Sequence, residues 1–351
     1  MDNEYALHNS IVLAIHLPKI YRTRFFACQP ITKVHECNLR NNNNTAMWRC
    51  NNNKIFMHTD RKKIILNERR SSSSAMWRCT CCLCTEGQMV RTLAEGQPVD
   101  GVTLLGDEIY LLRWKSVGEV EVYDAISYRL LRCLTVPNSR SFDDITSCKH
   151  FLCLYICDHD AESVHRLDLQ DNATQWPVND EPWGLSVNAD HNLIVTCNEM
   201  RKIKEFNTRG DLLRDVTLPD DVINPWHAIQ LASGQFIACH GVPGDPVHRV
   251  CKISEDGRRV VESHGGQPGS NIGQYNVPRH LAVDDNEFVF VVDSNNRRVT
   301  LLSPTLEYKR QVVTCDQFKW DFHRLYLDVQ RRRLYVTDFK YTAGRVVVFR
   351  V

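Results

Sequence analysis

The residues best suited to chemistry in this chain of 351 residues are histidines, clustered cysteines, and tryptophans and arginines that recur in similar settings. His227, His240, His264 and His280 offer imidazoles, which are common zinc ligands. Cys79, Cys81, Cys82 and Cys84 offer thiolates suited to a soft metal. They are nearly adjacent in the chain and sit in a low-complexity setting, so an unstructured thiol patch is the plainer reading. Trp183, Trp226, His227, His240, Arg279, His280, Asp293, Arg297 and Trp320 form a third group. Aromatic and guanidinium side chains around a rim suit recognition of a protein or a nucleic acid. Each also has a structural reading: tryptophan after proline packs between neighbouring sheets, and aspartate bonds the amides of its own turn. No Gly-x-Ser-x-Gly occurs, so serine hydrolysis has no support.

The elements that position these residues repeat. Pro278–Asp284, Phe288–Asp293, Arg298–Leu302 and Tyr308–Val313 read as four short strands. The same order recurs from Pro182-Trp-Gly and again from Pro225-Trp-His. Lining up the third residue of each opening turn gives Gly101, Asp144, Gly184, His227, His280 and Arg324, at intervals of 43, 40, 43, 53 and 44 residues. Four strands joined by tight turns need about 40–45 residues, the period of a propeller blade. The long interval holds the Gly-rich run from Gly265 to Pro278. These intervals predict an all-β, six-bladed β-propeller over residues 87–351.

The last unit has room for only three strands, Arg324–Val329, Leu334–Asp338 and Arg345–Val351. Gln88–Leu93 reads like the outer strands of the other blades, so an N-terminal strand is expected to complete the last blade and close the ring. Closure removes the unpaired sheet edges that invite aggregation. Residues 1–86 read differently. Asn41–Asn44, Asn51–Asn53 and Ser71–Ser74 are low-complexity tracts, and Ala-Met-Trp-Arg-Cys occurs at both 46–50 and 75–79. This Cys/Asn/Ser-rich segment is expected to be largely disordered.

Charge divides along the same line. Residues 1–86 carry 13 Lys/Arg against 6 Asp/Glu, and residues 87–351 carry 30 against 36. A mildly acidic propeller does not favour a general nucleic-acid surface, although a local basic face is compatible with it. Eight of the 15 cysteines are scattered through the apolar strands without paired spacing. They are expected to be reduced core thiols in a cytoplasmic protein. Ile11–Leu17 is short and follows an acidic start, unlike a secretory signal. No run reaches the ~20 apolar residues that cross a membrane.

The grammar resembles NHL repeats (TolB-like in architecture): a proline-led first strand ending Val-Asp, a second ending in Asp, and an Asn-x-Arg-Val opening to the third. Pro278–Asp284 with Val292–Val299, and Tyr335–Asp338 with Gly344–Phe349, carry the match, and Gly273-Gln-Tyr-Asn-Val-Pro278 is also typical. The resemblance covers about residues 87–351 and is similar to the C-terminal propeller of tripartite-motif proteins. It implies target recruitment in a ubiquitin-ligase context. A RING needs repeated Cys-x2-Cys pairs, which these residues lack along with a B-box and a coiled coil, so ligase activity would come from another chain or from sequence beyond these residues.

Three functions follow as expectations. The first is a non-catalytic, cofactor-free scaffold that binds a protein through one face, with no small-molecule substrate and no membrane contact. The second is binding of single-stranded RNA through Arg279, Arg297, Arg298, Lys319, Arg324 and Lys340. The third, weakest on these residues, is a metal-dependent propeller lyase or hydrolase. Six-bladed lactonases place calcium ligands at the channel mouth, where this chain has mixed residues. Peptide-amidating lyases use histidines on zinc, for which His227, His240, His264 and His280 are the available set.

Overall fold

The computed structural model describes residues 87–351 except 115–117, 171, 315 and 317, together with the backbone of five earlier strands. The chain divides into two units, Met1–Thr85 and Glu86–Val351. In the first, Cys37–Asn41, Asn44–Asn51, Lys54–Thr59, Lys62–Asn67 and Arg78–Cys79 pair in sequence order as an antiparallel sheet. The rest of 1–86, including most of the segment expected to be disordered, lies outside the described residues.

The second unit is a six-bladed propeller of four-stranded antiparallel sheets. Blade one runs from Val99–Leu105 at the channel to Leu130–Thr135 outside, and blade two from Phe142–Cys148 to Ala173–Pro177. Blades three, four and five begin with Pro182–Val187, Pro225–Gln230 and Pro278–Val283. Blade six contains Asp321–Asp328, Arg333–Lys340 and Ala343–Arg350, and its outer strand is Gln88–Gly96. The ring is therefore closed by the N-terminal strand, with Val346 opposite Leu93 and Val348 opposite Arg91. At the end of that pairing, a Cβ on Gly344 would lie 2.7 Å from both Pro98 Cα and Val99 N. Glycine lets the third strand of blade six and the start of blade one meet there.

Strand periodicity explains the core. Successive side chains point to opposite faces of a sheet, and the inner strands of each blade have a neighbour on both faces. In blade two, Leu154 and Ile156 pack toward blade one, while Cys153, Tyr155 and Cys157 pack toward blade three. Six apolar clusters result, one at each seam between blades. This is why the second strands read as continuous apolar runs. Outer strands keep one wet face, as in Leu130–Thr135, where Leu134 is buried and Leu130 and Leu131 are exposed.

The cysteine pattern departs from the sequence reading in one respect. Cys148 and Cys153 are direct cross-strand partners and share the seam between blades two and three, so paired spacing does exist there. Their five-residue separation becomes a contact only when the hairpin forms. Both are free thiols.

Candidate functional site at the channel mouth

Each inner strand carries a β-bulge at the same place, so that two of its residues face one on the second strand. A bulge re-aims side chains. Here it turns consecutive residues of all six blades toward the axis and its mouth. The second residue of each pair is the aligned position: Gly101, Asp144, Gly184, His227, His280 and Arg324. The residue before it is Asp100, Asp143, Trp183, Trp226, Arg279 or His323.

The aligned layer is a buried polar network. Arg324 Nε lies 3.3 Å from Asp144 Oδ1, and its Nη2 donates to the Asp143 and Trp183 carbonyls at 3.1 Å each. One side chain of blade six thus reaches blades two and three. Asp144 also accepts the amides of Ile145 and Leu185, and His280 Nε2 lies 3.6 Å from its Oδ2. The His227 ring stacks on His280 at 3.8 Å, and its Nε2 bonds the Leu185 carbonyl. Gly184 makes room for this contact, since a Cβ there would lie 2.5 Å from Trp226 O. Burial alone would raise the Asp144 carboxyl, but the Arg324 charge, with the hydrogen bond from His280, holds it well below the usual range. Burial keeps both histidines neutral, His227 strongly so.

Asp144, His227 and His280 bring ligand-type atoms within 4.8 Å of one another among the described residues. Their geometry does not fit a metal ion. An imidazole lone pair lies in its ring plane, so two rings stacked 27° from parallel direct theirs side by side rather than at one point. Arg324 already neutralises Asp144. The four-histidine set considered for zinc also separates. His240 is buried and receives Arg249 Nε at 2.9 Å, and His264 packs by Tyr275 and Tyr308 on the outer side of blade four. That convergence is corrected to two histidines, because strand position sends the other two away from the axis.

In the layer above, Asp143, Trp183 and Arg279 are half-buried, and Asp100, Trp226 and His323 are buried. Trp183 meets Trp226 edge-on at 5.1 Å, and the Arg279 guanidinium lies 4.2 Å over the Trp226 ring. Across the mouth, His323 stacks on Phe339 at 3.7 Å and bonds Asp100, while Trp114 and Tyr341 pack on Phe339. Burial and the Asp100 charge push the Asp143 carboxyl up to about 8. Burial and the neighbouring Arg324 bring Arg279 down to about 10, and burial with Arg279 brings His323 down to about 3.

The remaining candidates have structural work. Asp293 is fully buried and accepts from Asn276 N, Asn296 and Arg298, while Asp158 and Asp338 bond the turn amides of their own blades in the same way. These contacts tie the second strand to the turn entering its blade. Trp226 donates its indole N–H to Gly241 O and is 7% exposed, so it supports the face more than it displays itself. Arg297 is exposed on the turn after Asp293, and Trp320 is half-exposed before blade six. Of the basic residues considered for RNA, Arg324 is in the channel, not on the rim, and Arg298 is engaged by Asp293 and three backbone carbonyls. Arg331 pairs with Asp328 and Asp107 on the opposite face. The sequence reading missed Asp100 and Asp143 at the bulge, and the aromatic group of Trp114, Phe339 and Tyr341. The bulge position itself, one residue before the aligned one, was the available signal for the two aspartates.

No protein-family model matches the chain, and no curated protein matches it. Solved structures do. A protein of unknown function from Bacteroides thetaiotaomicron is 12% identical, with 90% of this chain and 87% of that chain covered and a TM-score of 0.58. Virginiamycin B lyase from Staphylococcus aureus, solved with quinupristin, is 10% identical, with 90% and 98% covered and a TM-score of 0.53. The β-propeller domain of Myceliophteria thermophila Cps50 (Swd1) is 11% identical, with 76% and 99% covered and a TM-score of 0.53. These neighbours include an enzyme and an isolated propeller domain, and at such identities they establish the fold alone: this chain carries a six-bladed β-propeller.

Proposed function

We propose that the propeller is a binding module that presents its channel-mouth face to a protein partner. The observation that carries this reading is the placement of half-exposed Trp183 and Arg279 around Trp226, on the same face as Tyr341, which is 73% exposed. Beneath them Arg324 spans the channel. Aromatic anchors beside a well-packed support are the usual centre of a protein interface. The NHL-like grammar fits the same role, with target recruitment for a ubiquitin ligase whose catalytic part resides on another chain.

The test is affinity capture with the full chain, with and without nuclease, followed by measured affinities for the partner obtained. Trp183→Ala and Tyr341→Ala should each weaken binding by roughly tenfold or more, with a shallow dependence on salt. Capture that disappears with nuclease, or an affinity that falls steeply with salt, would replace the protein by RNA. Indifference to both aromatic substitutions would move the interface elsewhere.

A further inference from the structure

Around the channel mouth the fold leaves several buried donors without partners. Arg324 is 1% exposed, and its Nη1 has no hydrogen-bond partner although Nη2 is fully used. Arg279 leaves Nε without one, and Trp183 leaves its indole Nε1 without one. Guanidinium and indole N–H groups cannot accept hydrogen bonds. The acceptors left unpartnered are Asp143 Oδ2 and, deeper in the channel, His227 Nδ1 and His280 Nδ1, whose Nε2 atoms face Leu185 O and Asp144. Burial and the Asp100 charge raise the Asp143 carboxyl to about 8, which favours its protonated, hydrogen-donating form. A buried donor left unmatched is unfavourable, so the group that belongs here brings acceptor oxygens.

Extending the binding reading above, on which it rests, we propose that the channel mouth receives a side-chain carboxylate from an acidic segment of the protein partner, held by Arg324 and Arg279. Guanidinium forks match carboxylate geometry. The acidic residues nearby are already occupied: Asp144 by Arg324, and Asp100 by His323. The surroundings suit a chain rather than a free acid. Half-buried Trp183 stands on one side and exposed Tyr341 on the other, each backed by a buried ring (Trp226 and Phe339), which gives apolar surface to residues beside the carboxylate.

The test titrates the full chain with a short fluorescein-labelled glutamate-rich peptide, its glutamine and lysine counterparts, and free succinate as competitor. The glutamate peptide should bind at least about tenfold tighter than the other two, and Arg279→Gln should lose about tenfold. Arg324→Gln should lose as much, and if that variant fails to fold, Arg279→Gln decides alone. Equal binding of the glutamine or lysine peptide, or an unchanged affinity in Arg279→Gln, would overturn the proposal. Succinate competing at concentrations where the peptide binds would overturn the peptide as the source. If the carboxylate arm fails while Trp183→Ala still weakens the captured partner, the docking face stands and only its ligand chemistry is wrong. If the carboxylate arm succeeds while Trp183→Ala and Tyr341→Ala leave the captured partner unaffected, protein docking at this face falls and the carboxylate site stands.

Discussion

Arg324, on the innermost strand of blade six, reaches across the channel to Asp144 on the innermost strand of blade two, with Nε 3.3 Å from Oδ1. Both side chains are 2% exposed. Removing one partner of a buried pair leaves an uncompensated charge and costs about 3–5 kcal/mol. Arg324→Met and Asp144→Asn should each lower stability by that order in denaturant unfolding. The double variant should lose clearly less than the sum. Strict additivity would show that the pair does not brace the ring.

Ring closure gives a second prediction. Leu93 is 5% exposed and sits opposite Val346 in the seam between blades six and one. Leu93→Asp buries a carboxylate there, and a chain beginning after Ala94 lacks the closing strand altogether. Both should melt below the wild type and aggregate sooner on heating, since the third strand of blade six becomes an open edge. Equal melting temperatures would refute closure by residues 88–96.

Asp143 predicts a pH dependence. Its folded pKa, raised to about 8 by burial and Asp100, lies above the ordinary value of an unfolded aspartate near 4. The folded state therefore holds the proton more tightly, and this contribution is fully present below about pH 4 and is lost as pH rises toward 8. Asp143→Asn keeps a neutral side chain at every pH. Its melting temperature should exceed that of the wild type above pH 8, and the gap should close toward pH 4. A gap constant across that window would place the ordinary pKa on Asp143.

Thiol reactivity supplies a further check. Cys133 is exposed, whereas Cys153, Cys157 and Cys197 are fully buried, and burial raises each of their thiols. Because the thiolate is the nucleophile, iodoacetamide should label Cys133 in the native protein and reach the other three only after unfolding. Peptide mapping that found Cys153 labelled as fast as Cys133 would contradict the packing of the seam between blades two and three.

Much of this arrangement was legible in the chain. The spacing of Gly101, Asp144, Gly184, His227, His280 and Arg324 marked six blades, because a strand period of two and a blade length of about 40–45 residues leave little freedom. The shortfall after Arg324 pointed to Gln88–Leu93 for the same reason: a sheet cut short needs its missing edge. Individual roles were harder to read. His240 and His280 offer the same imidazole to a zinc set read from sequence, yet one ends a second strand beside Arg249 and the other lies on the axis beside Asp144. Trp183 and Trp226 follow proline in the same way, and only the second finds a carbonyl for its indole.

The sequence by itself determined the blades, their order and the strand that closes the ring, since these depend on local alternation and length. Only the tertiary structure decided which axial side chains meet. Arg324 finds Asp144, and Arg279 finds Trp226, because closing the ring brings distant repeats to one axis and a bulge in every inner strand turns two residues toward it. A repeat fixes the position each residue occupies, and the charge and size of its neighbours across the channel fix what that residue can do.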